Sequence, residues 1–173
     1  LAWDDARRTF DMTRAVTTPT RKAADFLEQT TGLTDVIPIS CGIDRRDYTP
    51  DLTPREANRI LIVGRLTTEK QIDVTLRAVA KLDEALDVHV DIVGGGDQRK
   101  NLDQLVEQLR LGARVTFHGH TTDEQLRAMY TRASVYVIAS IAELQSISTM
   151  EAMASGLPVI AADAMALPHL VHD

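Results

Sequence analysis

Cysteine is nearly absent: Cys41 stands alone, so no internal disulfide can form, and no Cys/His spacing resembles a structural zinc site. That usage fits a reducing compartment and predicts a cytoplasmic protein. Aromatic residues make up only 4% of the 173 residues and the formal net charge is -6, which leaves neither the stacking rings nor the basic stripe that a nucleic-acid surface needs. Nucleic acid is excluded as a partner. Long apolar runs are missing as well. The N-terminal LAWDDARRTFDMTR has no apolar signal core, and the longest apolar stretch is interrupted by Glu151, Gly156 and Pro158, so no segment is expected to span a membrane. There is no internal repeat, no G-x-G-x-x-G and no Walker sequence. What remains, 44% hydrophobic and 25% charged, suffices for one full core or parts of two.

From residue 60 onward the chain alternates strictly. Short β-branched or apolar runs predict strands at 60–63, 88–93, 114–117, 135–139 and 158–161. Between them lie apolar residues at three-to-four spacing: Ile72, Leu76, Val79 and Leu82; then Leu102, Leu105, Val106 and Leu109; then Leu126, Met129, Tyr130 and Ala133. Thr122 followed by Gln125 is a capping box, and Asp97 is the expected N-cap of the helix after the glycine run. Intervals of this length accommodate right-handed helical crossovers, so the predicted fold class is α/β, a doubly wound, Rossmann-like parallel sheet. Upstream, a β segment at 15–18, a helix over 20–31 and an extended 36–39 are followed by the charged, proline-containing DRRDYTPDLTPREANR, which reads as a connection.

The richest clue lies between Arg132 and Asp163, where thirty residues carry only two charges, Glu143 and Glu151. Carboxylates in so apolar a stretch must find hydrogen-bond donors or become protonated, which points to a site that binds hydroxyls. In open parallel sheets ligands sit beyond the carboxyl ends of the strands. The residues least needed for packing collect there: Gly64-Arg65, Gly94-Gly95-Gly96-Asp97, His118-Gly119-His120, and 140–148. A helix starting near Ser146 aims free N–H groups and partial positive charge at an anion. Arg65 and Lys70 add two cations, each contributing attraction of about 4 kcal/mol before desolvation at ~4 Å from a phosphate. The pattern is a phosphate cradle. His118 and His120 form an H-x-H without a third ligand, which does not make a metal site, and Ser140, Ser146 and Ser148 lack a nucleophile-elbow context.

GRLTTEK at 64–70, the GGGD turn at 94–97, VTFHGH at 115–120 and the Glu-x7-Glu motif followed by AMASGLPVIA together resemble the nucleotide-sugar half of retaining GT-B glycosyltransferases of family 4. The likeness covers about residues 36–173, while TRAVTTPTRKAADFLEQTTG is similar to the last β-α unit of that family's N-terminal domain, and CGID to the start of its second domain. It implies one half of a GT-B architecture: residues 1–36 ending the acceptor-side domain, 37–59 forming the interdomain connection and the start of the second domain, and 60–173 binding the donor. By the resemblance Arg65 and Lys70 would hold the donor diphosphate, Glu151 the ribose hydroxyls and Glu143 the hydroxyls of the transferred sugar, with Gly94, His120, Ser146, Ile147 and Ser148 completing the donor site. Glu143, Arg65 and Lys70 would be the residues on which catalysis depends. Leu144-Gln145-Ser146 departs from the Gly-Phe-Gly-like segment of many members.

The implied function is a hexosyltransferase-type glycosyltransferase that moves a sugar, with retention of configuration, from a nucleoside-diphosphate sugar to an acceptor that is a lipid, a saccharide or a small molecule. No metal or other cofactor is implied. The alternative is a non-catalytic nucleotide-sugar-binding module, or a donor subunit that needs a partner chain. Because the chain stops before the final strand and returning helix typical of the family, a fragment inactive on its own and prone to self-association is expected. For the full-length protein a peripheral membrane position is the alternative to a purely cytoplasmic one.

Overall fold

In a computed structural model that describes residues 2–172, the sheet is built as the alternation predicts. Five strands, β3 (Arg59–Val63), β4 (His89–Val93), β5 (Val115–Gly119), β6 (Val135–Ile138) and β7 (Val159–Ala161), pair only in parallel, in the spatial order β5-β4-β3-β6-β7. The chain starts in the middle of the sheet, builds outward to β5, then returns past β3 to add β6 and β7 on the other side. That reversal leaves a crevice between the ends of β3 and β6, where strand order changes direction.

Between the strands lie α3 (Ile72–Val79), α4 (Arg99–Gln108), α5 (Asp123–Arg132) and α6 (Ile147–Ala154). Ile62, Val90 and Ile92 bury one face of the sheet against Leu76, Leu102, Leu105 and Val106 of α3 and α4. Leu61, Tyr136 and Ile138 bury the other against Tyr130 of α5 and Ala152 of α6. This is the doubly wound arrangement: alternate strand residues face opposite layers, and each layer is closed by two amphipathic helices.

Several boundaries follow local chemistry. Thr122 caps α5 through the expected box, its Oγ1 accepting from Gln125 N–H (3.2 Å) while Gln125 Oε1 accepts from Thr122 N–H (3.0 Å). Asp97, the expected cap of α4, does not serve as one. The helix starts at Arg99 after Gln98, which is already in the right-handed helical region and makes no side-chain cap. The preceding turn is held instead by backbone bonds to the neighbouring loop, so a side-chain cap has no role there. Leu82 lies beyond α3, whose last residue is Val79.

Before the sheet come α1 (Ala2–Phe10), which the sequence reading did not anticipate, then β1 (Thr17–Thr18), α2 (Arg21–Thr31) and β2 (Ile37–Pro38). Strands β1 and β2 form a separate parallel pair. Thr20 caps α2 by accepting from Ala23 N–H, and Gly32 ends it in the left-handed conformation (φ 72°). Among the described residues no helix is long and apolar enough to cross a membrane.

Candidate functional site

The crevice is walled by the backbone of two tightly packed turns. Gly64 N–H donates to Val93 O, Leu66 N–H to Gly95 O and Gln98 N–H to Leu66 O, each at 2.9 Å. The approach is so close that a Cβ on Gly94 would lie 1.9 Å from Gly64 O, and one on Gly96 2.3 Å from Leu66 O; Gly94 also has φ 128°. The glycine run therefore permits one turn to lie on the other, rather than serving a chain reversal alone. His120 reaches back over this turn, its Nε2 3.1 Å from the place a Cβ on Gly95 would take. His118 is drawn away from it: Nε2 lies 2.7 Å from Asp91 Oδ1, within a half-buried cluster in which Asp91 Oδ2 also accepts from Arg59 (2.7 Å). No group of three or more His, Cys, Asp or Glu positioned to hold a metal ion occurs among the described residues.

At the centre of the crevice Lys70 Nζ donates to Glu143 Oε1. Both groups are mostly withdrawn from water, with side-chain exposures of 21% and 10%. Glu143 is thus not a solvated loop carboxylate; it is buried and has found its donor in Lys70. The loop that carries it is braced from below, where Ile141 N–H (3.0 Å) and Ser140 Oγ (3.3 Å) both donate to Glu69 O. Arg65 stands apart, exposed and only 3.5 Å from Glu69 Oε1, so its guanidinium is available to a ligand. Beside the pair, α6 begins at Ser146, which is in the left-handed region (φ 65°) and makes no side-chain cap. Its hydroxyl contacts Thr149 Oγ1 instead (2.7 Å), so the first N–H groups of α6, from Ile147 and Ser148 onward, have no side-chain cap. Ser148 Oγ accepts from the buried Tyr136 phenol at 2.7 Å, which leaves its own proton for another acceptor.

Glu151, about one turn into α6, is equipped differently. Oε1 accepts from Tyr48 OH at 2.8 Å and Oε2 from Tyr130 OH at 2.9 Å. Burial, then the Glu151 hydrogen bond and charge, push the Tyr48 phenol up to about 12. Burial dominates an upward shift at Tyr130 too, so both phenols keep their protons and donate. Sequence reasoning missed both tyrosines as partners of Glu151. Tyr130 shows there only as a packing position on a helix, and Tyr48 lies 103 residues from Glu151 with no local signal. Gln145 was missed as well: its Nε2 donates to Ser40 Oγ (2.6 Å) and its Oε1 accepts from Cys41 N–H (2.8 Å), tying the Glu143 loop to the segment after β2. Thr20 Oγ1, already the cap of α2, adds a bond to Leu144 O at 2.9 Å.

The structure therefore gathers Arg65, Lys70, Glu143, Ser146, Ile147, Ser148 and Glu151 along the β3 and β6 ends, with Gly94 and His120 on the adjoining β4 and β5 ends. Chemically the crevice offers two cations and a helix N-terminus to an anion, beside two carboxylates that accept from hydroxyls.

A family profile described as Glycosyl transferases group 1 matches residues 44–173. The chain is 38% identical over 112 residues to an uncharacterized glycosyltransferase of Methanocaldococcus jannaschii, covering 65% of this chain and 29% of that protein. It is 34% identical over 147 residues to the D-inositol 3-phosphate glycosyltransferase of Mycobacterium sp. (strain KMS), covering 76% of this chain and 33% of that protein. Among solved structures, the pneumococcal O-GlcNAc transferase GtfA in complex with UDP and GlcNAc superposes with a TM-score of 0.80 at 25% identity, over 94% of this chain and 32% of that one. The chain spans about a third of the length of the curated relatives it matches.

Proposed function

The chain belongs to the glycosyl transferases group 1 family, and from that premise we propose that residues 60–173 are the nucleotide-sugar-binding half of a family 4, retaining GT-B glycosyltransferase. Residues 1–36 then close the acceptor-side domain and 37–59 connect the two. The observation that carries the reading is the Lys70–Glu143 pair at the reversal of strand order, next to the uncapped start of α6. A diphosphate placed there meets Arg65, Lys70 and the α6 N–H groups, while the sugar and ribose hydroxyls reach Glu143 and Glu151. UDP is the first ligand to test, since the GtfA structure that shares this fold holds UDP.

Transfer of the sugar requires charge to build on the leaving diphosphate. Arg65, Lys70 and the α6 N-terminus lie where that charge develops, so stabilisation by fixed positive groups is the catalytic contribution of this half, and the donor set calls for no metal. We assign no carboxylate nucleophile; Glu143 orients the sugar while the acceptor attacks from the face the diphosphate leaves. The acceptor, whether lipid, saccharide or small molecule, binds against the opposing domain, so residues 1–173 alone hold donor without turning it over. Calorimetric titration of the 173-residue chain with UDP, GDP, uridine and guanosine tests the donor reading. One of the diphosphates should bind, and joint replacement of Arg65 and Lys70 by Ala should weaken that diphosphate at least tenfold more than its nucleoside, because only the diphosphate presents the charge they neutralise. Equal losses for the two ligands would show that the cations act through the fold.

A further inference from the structure

Glu151 carries a negative charge with no Lys, Arg or His within salt-bridge distance among the described residues. Its two oxygens are met instead by two phenols, one from each side: Tyr48 from the segment before the sheet and Tyr130 from α5. The rings are themselves locked, edge to face, with centroids 6.0 Å apart and an interplanar angle of 79°, and Tyr130 packs in turn against Tyr136 at 6.2 Å. Tyr130 is fully buried, so its hydroxyl position is set by the core. A neutral donor on each oxygen fixes the carboxylate plane without cancelling its charge. An ionised carboxylate has about four lone-pair sites, and two are used here, so one on each oxygen remains. That is the pattern of acceptors a vicinal diol requires.

We propose that Tyr48 and Tyr130 are positioning residues that hold Glu151 as a preset acceptor for the two hydroxyls of the donor ribose, and that Tyr48 thereby makes the connecting segment part of the nucleotide site. This rests on the donor reading given above and names how the ribose is selected. A ligand cation bridging Glu151 would replace the phenols; a diol would add to them. The elevated proton affinity of Tyr48 agrees with a permanent donor across the physiological range.

The test pairs each variant with a ligand lacking the hydroxyls. Tyr48→Phe and Tyr130→Phe retain the rings that pack, and thermal melts confirm the fold. UDP and 2′,3′-dideoxy-UDP are titrated calorimetrically into the 173-residue chain, the two variants and Glu151→Gln. The dideoxy ligand should bind wild type about tenfold more weakly than UDP, the size expected for lost hydrogen bonds to a charged acceptor. Tyr48→Phe should weaken UDP about fivefold and leave the dideoxy ligand within about twofold. A purely structural phenol would weaken both ligands equally, and either that result or an unchanged UDP affinity overturns the positioning role. If UDP and the dideoxy ligand differ as much in Glu151→Gln as in wild type, the ribose assignment itself falls; if wild type binds neither these nor GDP and its dideoxy analogue, the donor reading beneath it falls; if Glu151→Gln brings the two ligands together and Tyr48→Phe weakens both alike, only the positioning role falls.

Discussion

Replacing Glu143 by Gln should tighten the binding of UDP while reducing what the sugar adds to it. In the free protein Lys70 donates to Glu143 from a site where both side chains are mostly buried, so an arriving diphosphate must share the ammonium with a carboxylate and tolerate its charge. At an effective dielectric of about 20, unit charges ~6 Å apart repel by roughly 3 kcal/mol, and the shared ammonium offsets part of this. The net gain on neutralising Glu143 is then about 1–2 kcal/mol, or roughly five- to thirtyfold in the dissociation constant of UDP. A nucleotide sugar gains the same electrostatic relief but loses a charged acceptor for its hydroxyls, worth about 1.5–3 kcal/mol. The ratio of UDP-sugar to UDP affinity should therefore fall by at least tenfold. Gln keeps a neutral acceptor for Lys70 but leaves the part-buried ammonium without its counter-charge, so the variant should lose about 3 kcal/mol of stability, and thermal melts confirm that it remains folded. Calorimetry with UDP and UDP-glucose measures both effects, and the UDP gain should shrink with added salt because it is electrostatic. A folded Glu143→Gln variant that binds UDP no better than wild type would refute the view that Lys70 is the diphosphate cation held in reserve by Glu143.

Two further predictions concern the frame of the site. Gly94→Ala should destabilise the chain by more than about 3 kcal/mol and abolish nucleotide binding, because its Cβ would enter the Gly64 carbonyl at 1.9 Å and no flexible side chain can yield; a variant with unchanged melting temperature and UDP affinity would contradict the packed-turn geometry. Asp91→Asn should cost about 3 kcal/mol, the low end for a broken buried pair, since Arg59 keeps Glu56 at 2.6 Å. Burial opposes ionisation of Asp91, yet hydrogen bonds from His118 and Arg59 outweigh it and hold the carboxyl below its ordinary range. A depressed folded value means the contribution is complete above the unfolded carboxyl range near ~4 and disappears as pH falls through the folded value. Urea unfolding of wild type and variant should therefore converge as pH drops below about 4, and a constant gap down to pH 2 would assign the cost to packing.

The α/β alternation, the parallel pairing and the capping box at Thr122 were legible because each is encoded within a turn of helix or a few strand residues. The isolation of Glu143 and Glu151 among uncharged neighbours was legible for a similar reason: a buried charge creates a demand for donors wherever it sits in the fold. The sequence carried the demand but not its answer. Lys70 is 73 residues from Glu143, Tyr48 is 103 from Glu151, and Ser40 is 105 from Gln145. No periodicity links such pairs; they meet because β3 and β6 became neighbours and the segment before the sheet returns to α6. Likewise the glycine run read as a turn with a capping aspartate, and only the contact with Gly64 and Leu66 showed that missing side chains, rather than Asp97, are what that turn requires. Local propensity and hydrophobic pattern depend on nearest residues along the chain, so the sequence by itself determined which elements form and which charges need partners. The partners depend on which elements lie side by side, and strand order, set by the packing of both faces of the sheet at once, decided them.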